Sequence, residues 1–342
     1  MSTTPAAGLR VSPFNAIRWL LVAASLFVFT ACSSLEVMIG TRVRLEKIAL
    51  SPHMRAMLAT GPGIAPGENA ALIVMFTLPD GSPLMTEGAG NGKVLWEDVQ
   101  ITSTVVYVDP NGIVSLARDP RASEGQVPHV TITVPSHPEL RAELDIPIHY
   151  NRAFSSVFSG RAGSDGCNGI NGDNGVNGRP GSLDAEKPSP GSNGTNGCNG
   201  TDGQNGEPGS DAPALQVTVT LKPGPQPFLQ VSVSDGANQD LFLIDPAGGG
   251  SLTINSLGGS GGAGGKGGCG GTGGSGGKGI PNGRNGHNGE NGRDGWDAPK
   301  GHGGAITMTY DPSATAYLSL VQFHNDGGPS PEYREAPVAP LW

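Results

Sequence analysis

Glycine at every third position limits this chain more than any other feature. It recurs at that spacing from Gly160 through Gly181, in eight triplets that include Gly166-Cys-Asn, Gly169-Ile-Asn, Gly172-Asp-Asn and Gly175-Val-Asn. Residues 184–190 interrupt. Seven more triplets run from Gly191 to Asp211, mostly with Asn or Asp third. A second block opens at Gly258 with seven Gly-Gly-X triplets, whose third residues are Ser260, Ala263, Lys266, Cys269, Thr272, Ser275 and Lys278. After Gly279-Ile-Pro-Asn282, seven further triplets run from Gly283 to Gly303, with Ala298 in one glycine slot. These stretches are arms 1 to 4. Their matched lengths and short connections predict two hairpins, over 160–211 and 258–303.

A period of three suggests collagen, where only glycine fits the crowded axis of the triple helix. Collagen-like chains carry about 15–20% Pro, whereas the four arms contain only Pro180, Pro208 and Pro299. Gly-Gly-X also leaves two of three helix edges bare, and a triple helix needs one. The collagen-like repeat instead resembles polyglycine II, a threefold extended helix packed sideways through backbone hydrogen bonds, as in a glycine-rich antifreeze protein and phage tail adhesins. That resemblance implies Gly-X-Asn arms with one bare edge each and a Gly-Gly-X arm inside the bundle. Chain entropy lost by glycine and the return from each hydrogen bond are of similar size. Disorder is therefore an alternative, which the matched arm lengths oppose.

The N-terminus is an address. Arg10 and Arg18 precede the apolar run Leu20–Ala31, which ends in Cys32. A basic start, about a dozen apolar residues and a small-residue end form a secretory signal, too short to span a bilayer. Phe29-Thr30-Ala31-Cys32 resembles the lipobox of bacterial lipoproteins. The resemblance implies cleavage of residues 1–31, lipidation of Cys32, insertion of its acyl chains in the lipid bilayer, and an outer-membrane or cell-surface location. Residues 32–40 would be the anchor linker.

Between anchor and arms the chain is β. Apolar runs at 71–78, 99–108, 130–134 and 142–149 alternate with turn signals such as Asp109-Pro-Asn-Gly112. Residues 41–150 predict an antiparallel sandwich and resemble bacterial immunoglobulin-like domains, with Trp96 in the core. Six further runs, at 215–221, 228–234, 241–244, 252–255, 305–310 and 316–323, predict a second small antiparallel β-sandwich over 212–257 and 304–324. Residues 325–342 read as a mobile tail. The expected fold is thus mainly β, with an N-terminal signal helix, two β-sandwich modules and four extended glycine-rich arms.

Little of this points to catalysis. The seven histidines are scattered without metal-ligand spacing. Chance G-x-G-x-x-G matches follow no βαβ unit. Asp and Asn rows have the oxygen chemistry for weak Ca²⁺ binding, but solvated polar edges are the simpler reading, and no metal or cofactor is expected. Net charge of −9 argues against nucleic acid. The reading is a non-enzymatic, monomeric surface lipoprotein whose glycine bundle is a stalk, spacer or adhesion module, with an extracellular glycan or protein as partner. The alternative is a carbohydrate- or ice-binding protein that uses the bundle as its face. Three cysteines lie in the arms. With arms antiparallel and loop ends aligned, Cys198 and Cys269 fall two residues apart, about 6 Å. That is within the range of about 4.4–6.8 Å between bridged Cα atoms. A Cys198–Cys269 disulfide is expected, with Cys167 free.

Overall fold

The computed structural model describes residues 40–342 and is mainly β. The expected signal segment and Cys32 lie outside the described residues. The chain divides into one compact unit ending at His149 and a second covering Tyr150–Trp342.

The first unit holds two antiparallel sheets. One orders β1 (Met54–Leu58), β2 (Asn69–Thr77), β6 (Ile113–Leu116) and β5 (Val106–Val108), with β3 (Pro83–Met85) also on β2. The other orders β4 (Gln100–Thr104), β7 (His129–Val134) and β8 (His137–Asp145). Strict alternation along β2 buries Ala70, Leu72, Val74 and Phe76 in a core shared with Val114, Ile132, Val134 and Leu140. Trp96 lies in that core. Its indole sits against Gly112, at φ 75°, where an added Cβ would come within 2.2 Å of the ring. Asp109 fixes this turn by accepting the Asn111 and Ile113 amides. The run expected as one strand over 99–108 is broken, because Val105 takes a φ of 68°, a costly conformation for a β-branched residue.

The second unit is not purely antiparallel. One sheet orders β12 (Gln239–Ile244), β11 (Phe228–Ser234), β10 (Leu215–Lys222), β14 (Ile306–Tyr310) and β16 (Glu332–Glu335). The other orders β15 (Val321–His324), β13 (Ser251–Leu257) and β9 (Ala153–Ser159). Pairs β10–β11 and β11–β12 are antiparallel, but β9–β13, β13–β15, β10–β14 and β14–β16 are parallel. Leu215, Val217, Val219, Val231, Leu252 and Ile306 share one buried cluster. Residues expected as strand at 316–320 instead belong to a 3-10 turn over Pro312–Leu320, capped by Asp311 with proline in its first turn.

The C-terminal residues read as a mobile tail are docked. They supply β16, and beyond it the Val338 amide donates to Asp311 Oδ2 at 2.9 Å. The Leu341 amide reaches the wholly buried Gln230 side chain, also at 2.9 Å. The sequence shows no helical or apolar period there, and what docks the segment is backbone pairing with side-chain bonds from Asp311, Gln230 and Thr220.

Between the strands, segments 160–181, 191–211, 258–278 and 283–303 run extended, joined by ladders of hydrogen bonds. Arm 1 glycine amides donate to arm 3 carbonyls, from Gly160→Leu257 to Gly181→Lys278, at 2.7–2.8 Å. Arm 2 glycine amides donate to arm 4, from Gly194→Arg284 to Gly209→Pro299, at 2.8–3.1 Å. Both pairs run parallel. Antiparallel ladders join arm 2 to arm 1, arm 3 to arm 2 and arm 4 to arm 3, as in Thr201→Ile170, Gly268→Thr201 and Gly292→Gly268. Arms 2 and 3 each touch the three others. The second glycine of each Gly-Gly-X triplet, such as Gly265, Gly268 and Gly271, is buried.

Two outcomes follow. A Cβ added at Gly268 would stand 2.1 Å from the Ile170 carbonyl oxygen, a backbone atom that cannot rotate away. Gly268→Ala should cost about 1–3 kcal/mol, and Lys266→Ala, two residues away and exposed, less than about 0.5 kcal/mol. Thermal melts of the two variants check this, and equal melting temperatures would refute it. The Asp311 carboxyl is held below its ordinary value, chiefly by the Ser313 hydroxyl and then by the Val338 and Ser313 amides. Its contribution to holding the C-terminal segment is therefore present above the ordinary carboxylate range and lost as pH falls through the lowered folded value. The Val338 amide shift in NMR should titrate with a midpoint below 3.8, and Asp311→Ala should abolish that titration.

Candidate functional site

The arms are built from one repeated contact. Asn168 Oδ1 accepts the Lys266 amide at 2.8 Å, while the next amide, Gly169, donates to the Lys266 carbonyl at 2.7 Å. An Asn–Gly dipeptide thus grips both backbone polar groups of a single residue in the parallel partner arm. Asp165, Asn171, Asn174 and Asn177 repeat the grip on Ala263, Cys269, Thr272 and Ser275. Asn193, Asn196, Asn199, Asp202, Asn205 and Asp211 do so between arm 2 and arm 4, on Arg284, His287, Glu290, Arg293, Trp296 and His302. On the antiparallel side of arm 3, Asn285, Asn288, Asn291, Asp294 and Asp297 accept the first-glycine amides. Arm 3 therefore has all three amides of its central triplets satisfied, two of them by side-chain oxygens.

Arm 2 adds hydroxyls. Ser192, Thr195, Thr201 and Ser210 accept the amides of Arg179, Val176, Ile170 and Arg161 at 2.6–2.7 Å. This is how arm 2 keeps three neighbours with only one glycine per triplet. The Asn and Asp rows read from sequence as solvated edges are thus structural: each is exposed, yet its oxygen is spent on backbone. Glycine spacing alone did not reveal this. The signal that could have was the constant order Asn-then-Gly.

All three arm cysteines are free and exposed, so the expected Cys198–Cys269 bridge is not formed. The register behind it holds: Gly271 donates to the Cys198 carbonyl, which places Cys269 two residues from the level of Cys198. The edges differ. Cys198 belongs to the row whose hydroxyls meet arm 1 amides, whereas the Cys269 amide is gripped by Asn171 on the other flank of arm 1. The two thiols thus belong to rows on different flanks of arm 1.

Three rows of outward side chains remain. Arm 3 presents the small Ala263, Cys269, Thr272 and Ser275 with Lys266. Arm 1 presents Ile170 and Val176, 75% and 71% exposed. Arm 4 presents Arg284, His287, Glu290, Arg293 and Trp296, the last 79% exposed. Elsewhere, an apolar cleft of about 420 Å³ in the first unit is lined by Met57, Leu58, Pro62 and Leu144, with Asp145 at its edge. That carboxylate faces His129 Nδ1 at 2.7 Å. Among the described residues there is no group of three or more His, Cys, Asp or Glu placed to hold a metal ion, and no helix long and apolar enough to cross a membrane. No protein-family model matches the chain, and no curated protein or solved structure matches it.

The grip has a chemical consequence. Deamidation of Asn–Gly proceeds by attack of the glycine nitrogen on the Asn side-chain carbon, closing a succinimide and releasing ammonia. In the folded arms that nitrogen donates to a partner carbonyl and the side-chain oxygen is pinned. Asn168, Asn171, Asn174 and Asn177 should deamidate only when the arms open, tenfold slower for every 1.4 kcal/mol or so of opening free energy. Peptide mapping after incubation at pH 8, native against urea-unfolded, measures this ratio, and a ratio of one would show that the grip does not persist in solution.

Proposed function

We propose that this chain is a non-enzymatic surface lipoprotein. It is anchored in the bilayer through acyl chains on Cys32 and carries two β-sandwich modules and a rigid polyglycine II bundle that serves as stalk, spacer or adhesion module. The single observation that supports this reading best is the unbroken register from sheet to arm. Strand β9 pairs with β13 at a separation of 98 residues, as in Ser159 with Leu257, and the same separation of 98 residues recurs in the grips between arms 1 and 3. Strand β10 pairs with β14 through Leu215 and Ile306, and the grips of arms 2 and 4 keep that separation of 91 residues. Sheet and bundle form one continuous hydrogen-bonded unit, with no hinge of unpaired backbone at the junction. At about 3.1 Å per residue, each arm extends on the order of 65 Å beyond its base.

Side chains rather than bare glycine edges line the rim at the X positions, so the bundle closes on itself and the chain works as a monomer. Sedimentation and X-ray scattering of the chain from Ser33 onward should give a monomer with an extended particle dimension. A trimer that dissociates on melting would overturn the reading in favour of collagen. Cys32→Ala should move the full chain from the detergent phase to the aqueous phase, or leave the precursor uncleaved. Unchanged partitioning would remove the anchor from the proposal.

A further inference from the structure

We propose that the working face of the bundle is the row along arm 4, Arg284 to Trp296, together with the Asn amides of arm 2 beside it, and that it binds an extended polysaccharide. The inference rests on the adhesion reading above and names its face and ligand class. The Asn and Asp side chains of arm 4 are spent on arm 3 amides, whereas the bundle takes no side-chain bond from Arg284, His287, Glu290, Arg293 or Trp296. Arm 2 grips the backbone of Arg284, His287, Glu290, Arg293 and Trp296, and arm 4 glycines donate to arm 3. By contrast, arm 2 hydroxyls are spent within the bundle and arm 3 carries small residues. Successive side chains of arm 4 stand about 9 Å apart, three residues at roughly 3.1 Å each. Among the described residues none of Arg284, Glu290 and Arg293 forms an ion pair. A nearly naked indole and guanidinium groups on a rigid scaffold are the side chains that carry binding energy at interfaces, and rigidity spares the cost of ordering the site.

The chemistry of the row selects the ligand class. Because Asn193, Asn196, Asn199 and Asn205 have their oxygens turned to arm 4 amides, their Nδ2 groups are left as a row of donors at the same 9 Å or so repeat. Arg284, His287 and Arg293 add donors and Glu290 an acceptor. Trp296 offers one flat apolar surface. A repeating chain of hydroxyl-bearing rings, with polar rims and C–H faces, uses all of these. A protein partner would want a continuous apolar patch at the centre of the interface, and Trp296 is alone. A polyanion would want an unbroken basic stripe, and Glu290, Asp294 and Asp297 interrupt it.

The test uses the full chain in detergent with immobilised cellulose, chitin, xylan, mannan and peptidoglycan sacculi as probes. At least one should retain the protein. Trp296→Ala and Arg293→Ala should each weaken retention by about 10- to 30-fold, while Trp296→Phe, which keeps a stacking face, should weaken it less. Lys266→Ala on arm 3 and Ile170→Ala on arm 1 should leave it unchanged, with circular dichroism the same for every variant. Retention unaffected by Trp296→Ala, or lost equally in the arm 3 and arm 1 variants, would overturn the assignment of this face and leave the adhesion reading standing. Retention by none of the probes would overturn the polysaccharide inference, while scattering and Cys32 partitioning judge the stalk and the anchor on their own.

Discussion

An extended glycine chain has no internal hydrogen bonds, so every amide and carbonyl in these arms needs a partner outside its own helix. Backbone ladders alone satisfy only part of that need, because three neighbours cannot be placed around every arm of a four-arm bundle. The Asn–Gly grip fills the deficit. The carboxamide oxygen acts as a second carbonyl, one residue ahead of the glycine amide, and the pair closes on one residue of the next arm. Each such bond returns only about 0.5–1.5 kcal/mol net. The repetition along all four arms offsets the conformational entropy that makes glycine the poorest residue to order.

The same contact explains why the strand pairs that carry the arms, β9–β13 and β10–β14, are parallel. A grip fixed at one separation, repeated every three residues, demands that the two partner segments enter the bundle in step. Strands β9 and β13 deliver arms 1 and 3 already paired, with Gly160 donating to Leu257 directly after the last strand pair. Arms 2 and 4 run the other way, into β10 and β14, where Ala212 donates to His302 and Leu215 to Ala305. Antiparallel strand pairs would bring their segments in from opposite ends and could not set this register. The buried residues Phe158, Leu215, Leu252 and Ile306 lie within a few positions of these junctions. The hydrophobic core thus anchors the one place where glycine cannot hold itself.

What was legible in the sequence follows from the range of the forces involved. Strands such as β2, β7 and β11 show in their alternation or β-branched content, a local property, and their predicted and observed limits nearly coincide. The two-residue offset of Cys198 and Cys269 was legible from arm length alone. The edge on which each thiol sits was not, because it depends on which flank of arm 1 each row meets, and no local period encodes the cross-section of a bundle. The parallel pairing in the second unit was hidden for the same reason: the parallel partners of β9 and β10 lie 98 and 91 residues away. The docked C-terminus depends on Thr220, Gln230 and Asp311, single polar side chains without a pattern. The role of the Asn rows was present in the sequence as order, Asn before Gly, and became readable only once the partner residue between two bonds was known.

Two prolines carry the logic of the grip to its limit. Arm 2 breaks its own pattern at Pro208, where Asn or Asp would supply an acceptor. The position it would grip, 91 residues on by the register of that ladder, is Pro299, which has no amide to offer. Acceptor and donor are lost together, and the remaining half of the contact, Gly209 donating to the Pro299 carbonyl at 3.1 Å, is kept. Either proline alone would leave a side-chain oxygen or an amide without its mate. Both together remove the polar bond without orphaning a group, which is the cheap way to lose a hydrogen bond. A disordered glycine-rich linker has no reason to place prolines at matched positions in separate arms. A bundle with this register does.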